Sequence, residues 1–168
     1  ERVIFASTEG DIVQPLTGRA QPPTPLDGKP VSFTSSEDRR ITLANWLTAP
    51  ENPYFTRAIT NRVWTNFFAT GLVEAVDDLR MTNPASNEKL LGEAAGFLAK
   101  NRFDLKALMR AILQSETYQR SSVTLPQNRN DTRFHASYYP RRLIAEVALD
   151  AVSAVTAVPT SFNMDKRN

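Results

Sequence analysis

Residues 52–87, NPYFTRAITNRVWTNFFATGLVEAVDDLRMTNPASN, set the framework of the chain. Asn52 is of a type that caps helices, Pro53 suits the first helical position, and Gly71 offers a left-handed exit, so a helix is predicted between them. Phe55, Ile59, Val63 and Phe67 recur at i+4 steps, with Ala58 and Trp64 widening the stripe. A face this aromatic belongs in a core. The segment that follows, Gly71 to Asn83, holds Leu72, Val73, Val76 and Leu79 around the adjacent acids Asp77 and Asp78. Either an irregular strand or a helical turn buries those apolar residues, and periodicity does not choose between them.

Working outward, Ser35 or Ser36 is placed to cap a preceding helix that runs to about Thr48, with Asp38 at its positive end and Leu43, Trp46 and Leu47 on one face. On the other side, Ser86 or Asn87 caps a helix with Leu90, Leu91, Ala94, Ala95 and Leu98 inward. Asn101 suits its end. Asp104 then caps a fourth helix with Leu105, Leu108, Met109, Ile112 and Leu113 inward, and the short link implies a helical hairpin. Thr117 to Asp131 is polar and broken by Pro126, which reads as a long surface loop. Pro140 opens a last helix with Leu143, Val147 and Ala151 in one row and Ile144, Ala148 and Val152 in the next. Before all of these, Arg2–Ala6 and Asp11–Gln14 read as a short hairpin around Glu9-Gly10, and Pro22, Pro23, Pro25 and Pro30 favour an extended arm or linker. The expected fold is mainly α, an orthogonal or irregular bundle of about five helices with a short N-terminal β-hairpin and a proline-rich arm. Residues 1–34 form the hairpin and arm, as the tail of a preceding region, and residues 35–168 the helical domain.

The 168 residues, 41% of them hydrophobic, suffice for one domain with a real core, and a net charge of +2 gives nucleic-acid binding little support. The chain has no cysteine, which rules out a disulfide framework, a thiolate metal site and covalent haem attachment within it. No cofactor is assigned to it. No stretch approaches the roughly 20 apolar residues that span a bilayer. The first residues lack the basic start and apolar run of a signal peptide, and SFNMDKRN ends without a pattern, so the chain reads as cut from something longer, with its helical domain truncated at the C-terminus.

Asp77 and Asp78 are the first chemical candidates. As sequence neighbours they cannot by themselves form the facing carboxylate pair of a glycosidase. Pairing with arginine is the alternative. Arg39 and Arg40 fall in the first turn of one helix and Arg141 and Arg142 in that of another, where the helix dipole disfavours cations. At least one of the four is therefore expected to form a bidentate pair with Asp77 or Asp78. Asn61 and Arg62 sit mid-helix beside Trp64. An Arg62 facing inward needs an acceptor, such as Glu146 or an elbow carbonyl, whereas an outward one needs none. Asp77, Asp78 and Asn83 offer oxygen ligands for calcium without the EF-hand spacing. His135, the only histidine, has no second histidine or carboxylate cluster near it in sequence, and reads as a loop or packing residue. No G-x-S-x-G or Gly-rich phosphate loop is present. Tyr118, Tyr138 and Tyr139, with Arg120 and Arg133, are suited either to stacking on ligand rings or to covering a core.

Three blocks carry a resemblance: DRRITLANWLTAPENPYFTRAITNRVWTNFFATGLVEAVDDLRMTNPASNEKLL, FDLKALMRAILQSETYQRSS and YYPRRLIAEVALDAVSAVT. From about Asp38 to Thr156 the chain resembles the planctomycete-specific domain of unknown function 1553, found near the C-terminus of large exported proteins that also carry a cytochrome c-type domain. The resemblance implies a periplasmic or cell-envelope location, neighbouring domains as partners, among them a cytochrome c domain, and polysaccharide as a further one. It implies no reaction. Ala69 departs from the family pattern, standing where glycine is usual, as do Ala75 and Ala85 in place of prolines. The function expected is that of a non-catalytic interaction module. A glycan-binding or glycan-cleaving role and electron-transfer docking to a cytochrome are the alternatives.

Overall fold

The computed structural model describes residues 12–33 and 38–160. Within them the chain is mainly α, with helices α1 Arg39–Leu47, α2 Pro53–Phe68, α3 Glu88–Lys100, α4 Leu105–Leu113 and α5 Ala145–Thr156. Two short strands, β1 Ile12–Val13 and β2 Ala20–Gln21, pair antiparallel with Ile12 opposite Gln21. The hairpin thus joins Ile12–Val13 to the chain after it. The partner expected from the sequence, Arg2–Ala6, lies outside the described residues.

The first four helices begin where a side chain can satisfy an orphan backbone N–H. Asn52 Oδ1 accepts from Tyr54 and Phe55, Asn87 Oδ1 from Leu90, and Asp104 Oδ1 from Lys106 and Ala107. For α1 the cap is Asp38 itself, which accepts from the Arg40 N–H; Ser35 and Ser36 lie outside the described residues. α3 ends at Asn101 in a Schellman-type turn, with Phe103 N–H bonding Leu98 C=O and Arg102 N–H bonding Ala99 C=O. Arg102 and Phe103 are both left-handed there, which reverses the chain into α4 within four residues.

α2, α3 and α4 enclose the core. Leu91 and Leu98 of α3, Leu108 and Ile112 of α4, and Val63, Trp64 and Phe68 of α2 are buried together with Leu72 and Val73. Burying each large apolar side chain contributes about 1.5–3 kcal/mol before the entropy of ordering it. The innermost face of α2 differs from the apolar stripe read in the sequence: Thr56, Thr60, Trp64 and Phe68 form it, with Asn61 and Val63 beside them, while Phe55, Ile59 and Phe67 are half-buried at its flank. Thr56 fits inside because its hydroxyl donates back to the Asn52 carbonyl.

Two expectations at helix ends are corrected. The left-handed residue after α2 is Ala69, with φ of 65°, not Gly71. Gly71 is needed for a different reason: a Cβ there would press on the Val73 carbonyl oxygen and come within 3.0 Å of Asn61 Oδ1 and Thr65 Oγ1. The last helix starts at Ala145, not at Pro140, so Arg141 and Arg142 precede it rather than filling its first turn. Starting later removes two cations from the positive end of the dipole and leaves Glu146 in the first turn instead.

Candidate functional site

The acidic elbow, residues 71–83, is neither strand nor helix but a series of turns stapled by carboxamides. Asn61, fully buried in α2, spends both amide hydrogens on the Val73 and Val76 carbonyls at 2.9 and 2.8 Å, and its Oδ1 accepts the Val73 N–H at 3.0 Å. Asn83 closes the other end by donating to the Glu74 and Asp78 carbonyls at 2.7 and 2.9 Å. Its amide nitrogen thus closes the elbow from within. Ser86 N–H bonds the Leu72 carbonyl and ties the elbow to the start of α3.

The two aspartates lie on the outside of this elbow and are engaged separately. Arg62 faces outward and meets Asp77 at 2.6 Å, both side chains 58% exposed. Asp78 forms the bidentate pair, but with Arg80 two residues on, at 2.5 and 2.7 Å, and that guanidinium holds its carboxyl below the usual range. The expected clamp from Arg39, Arg40, Arg141 or Arg142 is thus corrected. Arg40 pairs with Asp38, Arg39 lies 5.3 Å from the Phe33 ring centroid, and Arg141 and Arg142 are exposed without an ion pair among the described residues. The offset that Arg39 and Arg40 need at a helix start comes from these neighbours. Glu146 is also exposed, and does not meet Arg62. Trp64, 3% exposed, is a core residue, so the elbow joins no aromatic face to a carboxylate pair.

A second constellation lies under the loop that follows α4. The Trp64 and Phe68 rings stack at 4.1 Å, and His135 packs against both, 4% exposed. Trp64 Nε1–H donates to His135 Nε2 at 3.3 Å. Because indole can only donate, Nε2 is the bare nitrogen and the ring proton sits on Nδ1, which is buried without a partner in the protein. An unmet donor of this kind costs about 1–3 kcal/mol. The backbone of His135, left-handed at φ of 53°, is held on both sides: its N–H donates to the Tyr139 hydroxyl at 3.0 Å, and its carbonyl accepts from Arg120 at 3.1 Å. The Tyr139 hydroxyl donates in turn to Asp131 Oδ2 at 3.0 Å, and Asp131 also accepts the N–H groups of Arg133, Phe134 and Ala136. Burial pushes the Asp131 carboxyl up, yet those donors outweigh it and hold it at about 2. Burial likewise pushes the His135 imidazole below its ordinary value, against the opposing charges of Asp131 and Glu74. Protonation would also set a second N–H against that of Trp64.

The comparison with family models gives one finding: residues 39–165, most of the chain, match the family described as Protein of unknown function (DUF1553). The chain belongs to this family. Neither the curated proteins nor the solved structures gave a match. In this DUF1553 chain Asn61 staples the elbow and Ala69 turns the chain into it. No helix among the described residues is long and apolar enough to cross a membrane.

The tyrosines of the loop region cover the core, while Arg120 and Arg133 stay exposed and bond backbone carbonyls. Tyr118 sits edge-on to Phe67, Phe68 and Tyr138, Tyr138 donates to the Phe67 carbonyl, and Arg133 reaches the Pro84 carbonyl. Asp131 is the residue that sequence reading passed over. The signal available was its place at the head of D-T-R-F-H-A, where an aspartate can accept backbone N–H groups two, three and five residues on. Its link to His135 runs through Tyr139, and no spacing rule announces that.

Proposed function

We propose that this chain is a non-catalytic interaction module that docks, through α5 and the segment leading into it, against neighbouring domains of a larger protein. The observation that carries the reading is that α5 buries none of its residues, while Leu143, Ile144, Val147, Val152 and Val155 are all exposed. Val147 and Val155 lie eight positions apart on one helical row with Ala151 between them, the pattern of a face made to be covered. The α2–α4 core is complete without it. Asp77 and Asp78, each neutralised by its own arginine on the surface, favour a structural elbow over a pair of catalytic acids. The domains expected as neighbours are those of large exported envelope proteins, among them a cytochrome c-type domain, and polysaccharide is a target for such an assembly as a whole.

Hydrogen exchange of residues 143–155 tests this reading when measured both in this chain and in the longest natural polypeptide that contains it. Slower exchange in the longer polypeptide is expected, abolished by Val147→Asp with Val152→Asp. Identical exchange in the two contexts overturns it.

A further inference from the structure

His135 is held in a form that leaves no place for a second proton. Its imidazole packs against the rings of Trp64, Phe68 and Tyr139 at centroid distances of 5.5, 5.1 and 5.3 Å, and Nδ1 is closed to solvent with no partner in the protein. A second proton would go to Nε2, which already accepts the Trp64 indole N–H at 3.3 Å. Indole offers no acceptor in return. Proton uptake therefore breaks that bond, sets two N–H groups against each other and leaves a buried cation with no acceptor at either nitrogen. Burial disfavours the charged ring, and the charges of Asp131 and Glu74 only partly oppose it. The Asp131 oxygens are taken by three backbone N–H groups and the Tyr139 hydroxyl, and Glu74 accepts the Gly71 N–H. The Tyr139 phenol, pushed above its ordinary value by burial, is neutral. Arg120 sits on the His135 carbonyl and adds like charge, while Arg133 reaches the Pro84 carbonyl. α2 meets the imidazole with the rings of Trp64 and Phe68, and the start of α3 and the end of α4 bring Ser86, Asn87, Leu90 and Thr117 to the cleft beside it, none of them charged.

The segment that carries His135 can leave without the core. Tyr138 N–H donates to the Ser121 carbonyl at 3.0 Å, which brings the ends of residues 121–138 together as one loop. No apolar side chain of the core comes from residues 119–139. Beyond the His135 ring, the loop is held down by single hydrogen bonds, Tyr138 to the Phe67 carbonyl and Arg133 to the Pro84 carbonyl, the weak attachment expected of a unit that opens by itself. The left-handed backbone of His135 is a further strain that opening relieves. We infer that residues 121–138 form an acid-released cover over the aromatic end of α2: protonation of His135 expels its ring and opens the loop, baring the stacked Trp64 and Phe68 while α2, α3 and α4 stay folded. Acid is the signal, and a pair of stacked aromatic rings is the surface it delivers. With the open loop titrating at the ordinary histidine value of 6.5, the ratio of open to closed forms rises by up to about tenfold between about pH 7.5 and about pH 5.5. The device is independent of the α5 docking face and stands or falls without it.

The chain has one histidine and two tryptophans, so the His135 ring nitrogens and the Trp64 indole N–H are directly separable by nitrogen-15 NMR. The measurement is a titration of the whole chain from about pH 7.5 to about pH 4.5. The His135 ring, the Trp64 indole and the Tyr138 amide are expected to shift in one transition below about pH 6.5, with the Trp46 indole and the Leu91 and Leu98 amides of α3 unmoved. His135→Asn, which suits the left-handed backbone and does not titrate, is expected to abolish the transition at Trp64. Tyr139→Phe serves as a second variant: it keeps the ring packing but removes the hydroxyl that holds the His135 N–H, and is expected to move the transition to higher pH by about threefold or more in proton affinity. The inference is overturned if the His135 ring titrates while the Trp64 indole stays in place, or if it takes up no proton in the folded chain down to about pH 4.5. It is equally overturned if the α3 amides leave their native positions in the same transition, if the Trp64 transition persists in His135→Asn, or if Tyr139→Phe leaves the midpoint unchanged.

Discussion

At the scale of single residues, the corner after α2 separates two roles that small side chains fill. Ala69 is left-handed, a conformation that strains any residue with a Cβ by about 1–2 kcal/mol. Gly71 has ordinary φ but no room. Ala69→Gly should therefore raise stability by about 0.5–1 kcal/mol after the entropy lost to the freer unfolded chain, while Gly71→Ala should lower it by about 2 kcal/mol; urea denaturation of the pair reads both signs. Sequence inspection placed the left-handed turn on the glycine because glycine tolerates it best, and the geometry of the elbow, which no local rule contains, gave it to the alanine. His135 provides a pH test. Its folded pKa is lowered by burial, so as pH falls through the unfolded value, about 6.5, the unfolded chain takes up a proton that the folded chain refuses. Stability should fall through that window and level off once the folded ring protonates. The Asp131 contribution has the opposite origin, a folded value depressed to about 2, so it is present above the unfolded value and lost only as pH falls towards 2. The urea midpoint at about pH 5.5 should lie below that at about pH 7.5, with the gap reduced in His135→Phe; equal midpoints in the unmodified chain would contradict this.

At the scale of elements, α2 does more than supply an apolar stripe. Its one buried carboxamide serves as a surrogate strand for the elbow, bonding both the N–H and the C=O of Val73. Asn61→Ala strands three backbone groups and should cost about 3 kcal/mol in chemical denaturation. Arg62→Ala, one position on, removes only a half-exposed ion pair and should cost under about 1 kcal/mol. If the two variants cost the same, the elbow is held by charge rather than by the amide. The caps at Asn52, Asn87 and Asp104 and the end of α3 at Asn101 were legible from local sequence, because a cap is a contact within a few residues. The beginning of α5 was not: Pro140 is a permissive first residue, but Arg141 and Arg142 would then stand at the positive end of the dipole, and the chain stays non-helical up to the extended Ile144.

At the scale of the molecule, three helices hold the core and two stand apart from it, since neither α1 nor α5 has a buried residue. Leu98→Ala, at a position with no exposure, should therefore cost about 2–5 kcal/mol in urea denaturation, while Val152→Ala on α5 should stay within about 0.5 kcal/mol. A large effect at Val152 would mean that α5 is part of the folding unit. The sequence by itself determined the number and order of the helices, most of their caps, the inner faces of α3 and α4 and membership of the DUF1553 family, because these depend on period, capping chemistry and recurring blocks of residues. Only the tertiary structure decided which arginine meets which aspartate, that Thr56 and Thr60 rather than Phe55 and Phe67 face inward, and that His135, Tyr139 and Asp131 converge beside Trp64. Those are matters of packing between segments up to 71 residues apart, and the free energy that selects them, burial balanced against unmet hydrogen bonds, exists only once the helices have closed on one another.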